Sequence, residues 1–275
     1  MTRSARRTRR TSQLAGAGVA ALLALSACSS SDSGSDAGSG SDTGSGSGGS
    51  DKVSGTVNVF AAASLTESFT ELGKTFEKEH PGTKVVFNFG GSDSLAAGIT
   101  SGAPADVFAS ASPKTMKVVT DADAGTPATF VRNRLEIATL PGNPDGVSSL
   151  KDLTGDDLKV VLCDKTVPCG AAAQKALTAA DLKLTPVSYE EDVKSALNKV
   201  VLKEADAAVV YKTDVQAAGD KVEGVEFPES AKAVNDYPIT LLKDAPNSAA
   251  GKAFMELVRS AEGQKVLTGA GFTAP

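Results

Sequence analysis

Histidine and cysteine are almost missing from this sequence: its 275 residues hold one histidine and three cysteines. A hydrolase pairs a nucleophile with a base. The single His80 follows an acidic stretch and stands beside Pro81, and no Gly-x-Ser-x-Gly elbow is present, so the pattern excludes a histidine-based hydrolase and places His80 on the solvated surface. Tyrosine is as scarce, with Tyr189, Tyr211 and Tyr237 far apart in the chain. Beyond the first residues, no apolar run approaches the ~20 residues of a membrane helix, and no internal repeat is visible.

The chain begins with a basic stretch, "RSARRTRR", then a short apolar run, "LAGAGVAALLALSA". This is the pattern of a signal peptide, residues 1–27. The run ends in Leu25-Ser26-Ala27-Cys28, which resembles a bacterial lipobox, so Cys28 is the expected lipidation site and mature N-terminus. Cys28 and the linker after it make up residues 28–52, where residues 29–52 read "SSSDSGSDAGSGSDTGSGSGGSDK", a Gly/Ser tether that cannot pack a core. A domain anchored by lipid at the extracytoplasmic face of the cell membrane is therefore expected. Five arginines and no acids lie in the leader, so its removal takes the formal charge from −5 to −10. A domain that acidic is a poor partner for nucleic acid.

Export also bears on the stretch "CDKTVPCG", which holds Cys163 and Cys169. Disulfides persist outside the cytoplasm. With Cys28 given to lipid, these two remain as an even pair. A metal site would need further ligands, and a redox pair prefers the closer Cys-x-x-Cys spacing. A structural disulfide is the best reading, and a thiol oxidoreductase using Cys163 and Cys169 is its rival.

From about Val53 onward, strands and helices alternate, which means α/β architecture with mostly parallel sheets. "TVNVFAAAS" reads as a buried strand, and the helix after it places Leu65, Phe69, Leu72 and Phe76 on one face. Ser64 with Glu67 has the form of a capping box. "TKVVFNF" is a strand running into Gly90-Gly91-Ser92-Asp93-Ser94, where Ser92 or Ser94 could cap the next helix. Ser112-Pro113 is a helix start. "LKVVLCD" is a strand, with a helix expected just after Cys169. "EEDVKSALNKVVLKE" reads as a helix with three acids in its opening turn. "ADAAVVY" is a buried strand ending at Tyr211, a position that packing alone could explain.

Several junctions share one form: a buried strand, small residues, then a helix start. Helix N-termini present unpaired N–H groups and a positive dipole end, which suits an anion. In open α/β sheets, ligands sit at the carboxyl ends of strands, where these junctions lie.

The stretches "FAAASLTESF", "GGSDSLAAGITSGAPADVFASAS", "VPCGAAAQKAL", "EEDVKSAL" and "AAVVYKTDV", in that order, resemble the extracytoplasmic molybdate-binding proteins of ABC transporters. The resemblance implies a type II periplasmic-binding-protein fold: two lobes, with a tetrahedral oxyanion clamped between them. It implies 53–131 plus 236–275 as the first lobe and 132–235 as the second. It implies five ligand-binding residues: Ser64 and Ser92 through hydroxyl and backbone N–H, Cys169 and Val193 through backbone N–H, and Tyr211 through its phenol. Asp93 departs from the pattern, and its carboxylate is expected to face solvent or cap its helix.

The implied function is binding of molybdate and tungstate and delivery to the membrane permease of an ABC importer, by a monomer with no cofactor, no bare metal ion and no enzymatic activity. The alternative is the same fold holding sulfate or another tetrahedral oxyanion. Ferric-iron binders of this fold tend to use paired tyrosines, which this chain lacks. A site of neutral donors rejects an oxyanion that carries a proton, because that O–H finds no acceptor and leaving it unpaired costs about 1–3 kcal/mol.

Overall fold

The computed structural model describes residues 53–122 and 125–275. The expected signal peptide, Cys28 and the tether lie outside the described residues. Among those described, no helix is long and apolar enough to cross a membrane.

The first sheet starts with β1 (Gly55–Ala62), where Val57, Val59 and Ala61 alternate into the core. A 3-10 turn, Ala63–Leu65, leads into α1 (Thr66–Glu79). The expected face is buried: Leu65, Phe69, Leu72 and Phe76 have no exposed surface. Phe69 and Phe76 both meet Phe254 edge to face, with ring centroids 5.8 and 5.6 Å away. The chain continues through β2 (Thr83–Gly90), α2 (Ser92–Thr100), β3 (Val107–Ala109) and α3 (Pro113–Thr120). As expected, the Ser112 side chain caps α3, accepting from the Thr115 N–H at 3.2 Å. His80 is half-buried against Phe76, ring centroids 4.5 Å apart, rather than fully solvated.

β4 (Ala128–Asn133) completes the outgoing pass, and β5 (Leu135–Thr139) opens the second sheet. There follow β6 (Val160–Cys163), α4 (Pro168–Ala179), β7 (Ser188–Glu190), α5 (Val193–Val201), β8 (Ala207–Tyr211), α6 (Lys212–Ala218) and β9 (Glu223–Val225). β6 and β8 are buried along their whole length, as apolar strands covered on both faces should be. The chain then returns to the first sheet through β10 (Asn235–Leu241), α7 (Ser248–Arg259) and α8 (Ala261–Gly269).

The strand orders are β2-β1-β3-β10-β4 and β7-β6-β8-β5-β9. β1, β2 and β3 pair in parallel, as do β6, β7 and β8, while β10 and β5 run antiparallel to their neighbours. The fold is thus α/β with two mixed sheets. β4 and β10 are neighbours in register, Asn133 opposite Asn235, so the two passages between sheets lie side by side.

Candidate functional site

Helices from both sheets begin at one place, and a residue singled out above stands at each start. Ser64 lies in the 3-10 turn ahead of α1, Ser92 opens α2, Cys169 is the second residue of α4, Val193 opens α5, and Tyr211 immediately precedes α6. All five are buried and all line one cavity. Two come from the first sheet's connections and three from the second's. The free space is about 20 Å³. That is room for one small ion, far below the ~300 Å³ or more of an organic-ligand pocket.

No lysine, arginine or histidine among the described residues lines this cavity. Its positive potential comes from the first-turn N–H groups, which have no intrahelical acceptors, and from converging helix dipoles. Asp192 brings a carboxylate to the lining, but its Oδ1 accepts the Ser195 N–H at 2.8 Å and caps α5. Glu190 lies in β7 and Glu191 in the connection, so the three acids precede α5 and do not occupy its opening turn. Starting the helix at Val193 leaves that residue's N–H for the cavity.

The hydroxyls are held from behind. Ser92 Oγ accepts the Ala111 N–H at 3.0 Å, which leaves its own proton to donate. Ser64 Oγ lies 2.8 Å from Tyr237 Oη. Ser64 does not cap α1: Leu65 holds the N-cap position without a side-chain bond, and Glu67 reaches instead to Lys194. Ser94 donates to the Gly91 carbonyl. Tyr211 Oη accepts from Asn235 Nδ2 at 2.6 Å. Burial first, then Tyr237 and Asp214 nearby, push the Tyr211 phenol well above its ordinary range. Burial pushes Tyr237 up too. Both therefore remain protonated at neutral pH.

Cys163 and Cys169 are joined by a disulfide, Cα atoms 5.8 Å apart. It ties the end of β6 to the first turn of α4. A Cβ on Gly170 would lie 1.9 Å from the Asp164 carbonyl oxygen, so only glycine lets α4 start this close to the strand end. Gly91 plays the same part across the cavity, where a Cβ would lie 2.8 Å from the Glu191 carbonyl. Asp93 does not cap α2. It is half-buried in a groove outside the cavity, and its Oδ1 has no hydrogen-bond partner among the described residues.

Beside the cavity, Lys194 Nζ meets Glu67 Oε1 at 2.8 Å and Asp214 Oδ1 at 3.1 Å, joining α1 to α5 and α6. Asp214 is wholly buried, and burial, outweighing Lys194, raises its pKa to about 6. Burial pulls Lys194 down, but Asp214 and Glu67 outweigh it and leave it raised.

The sequence reading missed Tyr237, Asn133, Asn235 and Asp214. Tyr237 stands before a proline in a late strand, and nothing local marks its hydroxyl. Its position behind Ser64 comes from strand pairing.

Residues 57–273 match the model of the bacterial extracellular solute-binding proteins. The chain belongs to that family. It is 42% identical over 222 residues to the molybdate-binding protein ModA of Mycobacterium tuberculosis, covering 80% of this chain and 85% of that one. It is 32% identical to the molybdate-binding protein ModA of Haemophilus influenzae, covering 80% and 91%. Among solved structures, the substrate-binding domain of a putative molybdenum ABC transporter from Clostridium difficile matches with TM-score 0.61 and 32% identity, over 81% of this chain and all of that one. The periplasmic molybdate-binding protein of Azotobacter vinelandii shares the fold, with TM-score 0.69 at 22% identity over 80% and 99%. Family members bind and hand over solutes rather than transform them, and they work outside the cytoplasm.

Proposed function

We propose that this solute-binding protein captures molybdate in the cavity between its sheets and delivers it to the permease of an ABC importer. The observation that carries the reading is that Ser64, Ser92, Cys169, Val193 and Tyr211 line one ion-sized cavity at converging helix starts. Neutral donors suit a dianion here. They stabilise it through fixed dipoles, without the desolvation cost that a buried cationic partner carries. Relatives named as molybdate-binding proteins support the choice of anion. Tungstate, with the same charge and shape, is the expected second ligand. Residues 53–131 with 236–275 would form one lobe and 132–235 the other, closing over the anion. Cys28 would carry the lipid that keeps the monomer at the membrane.

Calorimetric titration of the folded domain with molybdate, tungstate, sulfate and phosphate tests this. Molybdate and tungstate should bind far more tightly than sulfate, and phosphate should not compete. Preferential binding of sulfate would replace the reading with the alternative oxyanion.

A further inference from the structure

Behind the cavity, the two passages between sheets carry a facing pair of asparagines. Asn133 ends β4, Asn235 opens β10, and the two are opposite each other in register. Each is buried, and each reaches a buried tyrosine hydroxyl. Asn235 Nδ2 lies 2.6 Å from Tyr211 Oη. Asn133 Nδ2 lies 2.9 Å from Thr213 Oγ1 and 3.4 Å from Tyr237 Oη.

Neither amide is free to turn over. Asn133 Oδ1 accepts the Arg134 N–H at 3.0 Å, which keeps its nitrogen toward Tyr237. Asn235 Nδ2 also donates to the carbonyls of Ala111 at 3.0 Å and Pro168 at 3.4 Å, groups that can only accept. Both tyrosine oxygens are therefore met by donors, so neither can give its own proton back to its asparagine. Tyr237 can give its proton to Ser64 Oγ, 2.8 Å away. Ser64 then has one acceptor site filled, and its own proton, no longer needed by Tyr237, is directed at the cavity it lines. Ser92 is set the same way by the Ala111 N–H.

We infer that Asn133, Tyr237 and Asn235 are positioning residues that fix the proton direction of Ser64 and Tyr211, and so make the cavity discriminate against oxyanions that carry a proton. A hydroxyl by itself can donate or accept, so a lone Ser64 could turn and receive the O–H of hydrogen phosphate. With Tyr237 donating to it, Ser64 has no protein acceptor for its own proton, so turning to receive the phosphate O–H would strand that proton unpaired. Molybdate and sulfate carry no proton at neutral pH and lose nothing. This rests on Ser64 and Tyr211 being anion ligands, as proposed above.

Tyr237→Phe removes the oxygen behind Ser64, which also meets Asn133 and neighbours the Tyr211 hydroxyl, and keeps the ring. Calorimetry at pH 7 should show molybdate and sulfate each weakened by about tenfold, the size of one lost hydrogen bond, while phosphate binding holds or improves. The molybdate-to-phosphate preference should thus narrow by at least tenfold. Adding Tyr237→Phe to Ser64→Ala should leave the preference where Ser64→Ala alone puts it, since the tyrosine acts through that serine. An equal loss for all three anions, or a preference that does not move, overturns the inference while leaving molybdate binding by the unaltered protein intact. A protein that binds no molybdate before substitution instead removes the reading beneath it. Should Tyr237→Phe fail to fold, Asn235→Leu, which strips the donor behind Tyr211, is read by the same ratio.

Discussion

The two halves of the cavity reach the same end by different means. The first sheet's side offers side-chain hydroxyls, Ser64 and Ser92, held by a hydrogen bond with Tyr237 and by one from the Ala111 N–H. The second sheet's side offers mainly backbone N–H groups, at Cys169 and Val193, set by a disulfide, a glycine and the Asp192 cap. Their cores differ in the same sense. Phe69, Phe76, Phe130, Phe254 and Tyr237 fill the first, whereas Ala172, Ala173, Ala176, Ala207 and Ala208 are prominent in the second. Aromatic side chains bury far more apolar area each than alanine does. A core of small residues brings helix and strand close but holds them less firmly. A covalent tie is most useful on that side.

The largest break should come at Gly170. A Cβ 1.9 Å from the Asp164 carbonyl cannot be relieved by a flexible side chain, so the start of α4 must move. Gly170→Ala should cost at least the ~1–3 kcal/mol of a core overpacking and should abolish tight molybdate binding. Tight binding and an unshifted melting curve in this variant would show that the second half is not held as rigidly as described.

Asp214 gives the comparison a pH dependence. Its folded pKa, about 6, lies above the ordinary 3.8, so between those values the folded state holds a proton that the unfolded state has released. Stability therefore falls as pH rises through that window, by up to about 3 kcal/mol in all, and is flat above it. Denaturant curves at pH 4 and pH 7 for the unaltered protein and Asp214→Asn check this. The variant should gain on the original as pH rises. The carboxylates with lowered pKa values, Glu77, Asp152, Asp164 and Glu226, are common to both proteins and cancel in the difference. A difference that stays level, or reverses sign, rejects the assignment.

Much of this was legible in the sequence. β6 and β8 announced themselves as apolar runs closing on small residues, and the Leu65, Phe69, Leu72, Phe76 face is the one buried. The five residues brought together at the cavity were named from the resemblance in motif order. Element starts were less legible: Ser-Asp-Ser before α2 and Glu-Glu-Asp before α5 serve equally well as caps or as first turns, and tertiary packing decided. Asn133, Asn235 and Tyr237 were not legible at all. Their roles depend on β4 and β10 lying side by side, a pairing between distant segments that no local pattern encodes.

Tyr211 is where the second half does supply a hydroxyl. A phenol donating to a dianion makes a charge-assisted bond worth roughly 1.5–3 kcal/mol. Tyr211→Phe should weaken molybdate by about ten- to a hundredfold with little change in melting temperature. Unaltered affinity would take Tyr211 out of the site and leave the second half contributing backbone donors only. The disulfide comes next. Loop closure for so short a ring gives about 2 kcal/mol, so Cys163→Ser with Cys169→Ser should melt lower and bind molybdate more weakly, yet still bind. The affinity loss would reflect the added ordering of a loosened helix start. Free thiols at both positions in the exported protein, seen by mass spectrometry, would contradict the tie.

The smallest effect should come from the ion pair that joins the halves beside the cavity. Glu67 belongs to α1 and Lys194 to α5, and the contact at 2.8 Å spans the first and second sheets' connections. Glu67 is about half exposed, and exposed pairs contribute little, typically under 1 kcal/mol. Lys194 keeps Asp214 as a partner when Glu67 is neutralised, so no buried charge is stranded. Glu67→Gln should therefore leave folding intact. A contact between the halves helps only once they have met, so its loss should speed molybdate release and leave capture unaltered. The expected change is about twofold in the off-rate at low ionic strength, shrinking in high salt as the charges are screened. Stopped-flow release measured at two salt concentrations separates the outcomes. A change in the on-rate alone would mean that Glu67 acts on the approaching anion rather than on closure. An off-rate change that ignores salt would mean that the side chain matters for packing rather than for its charge.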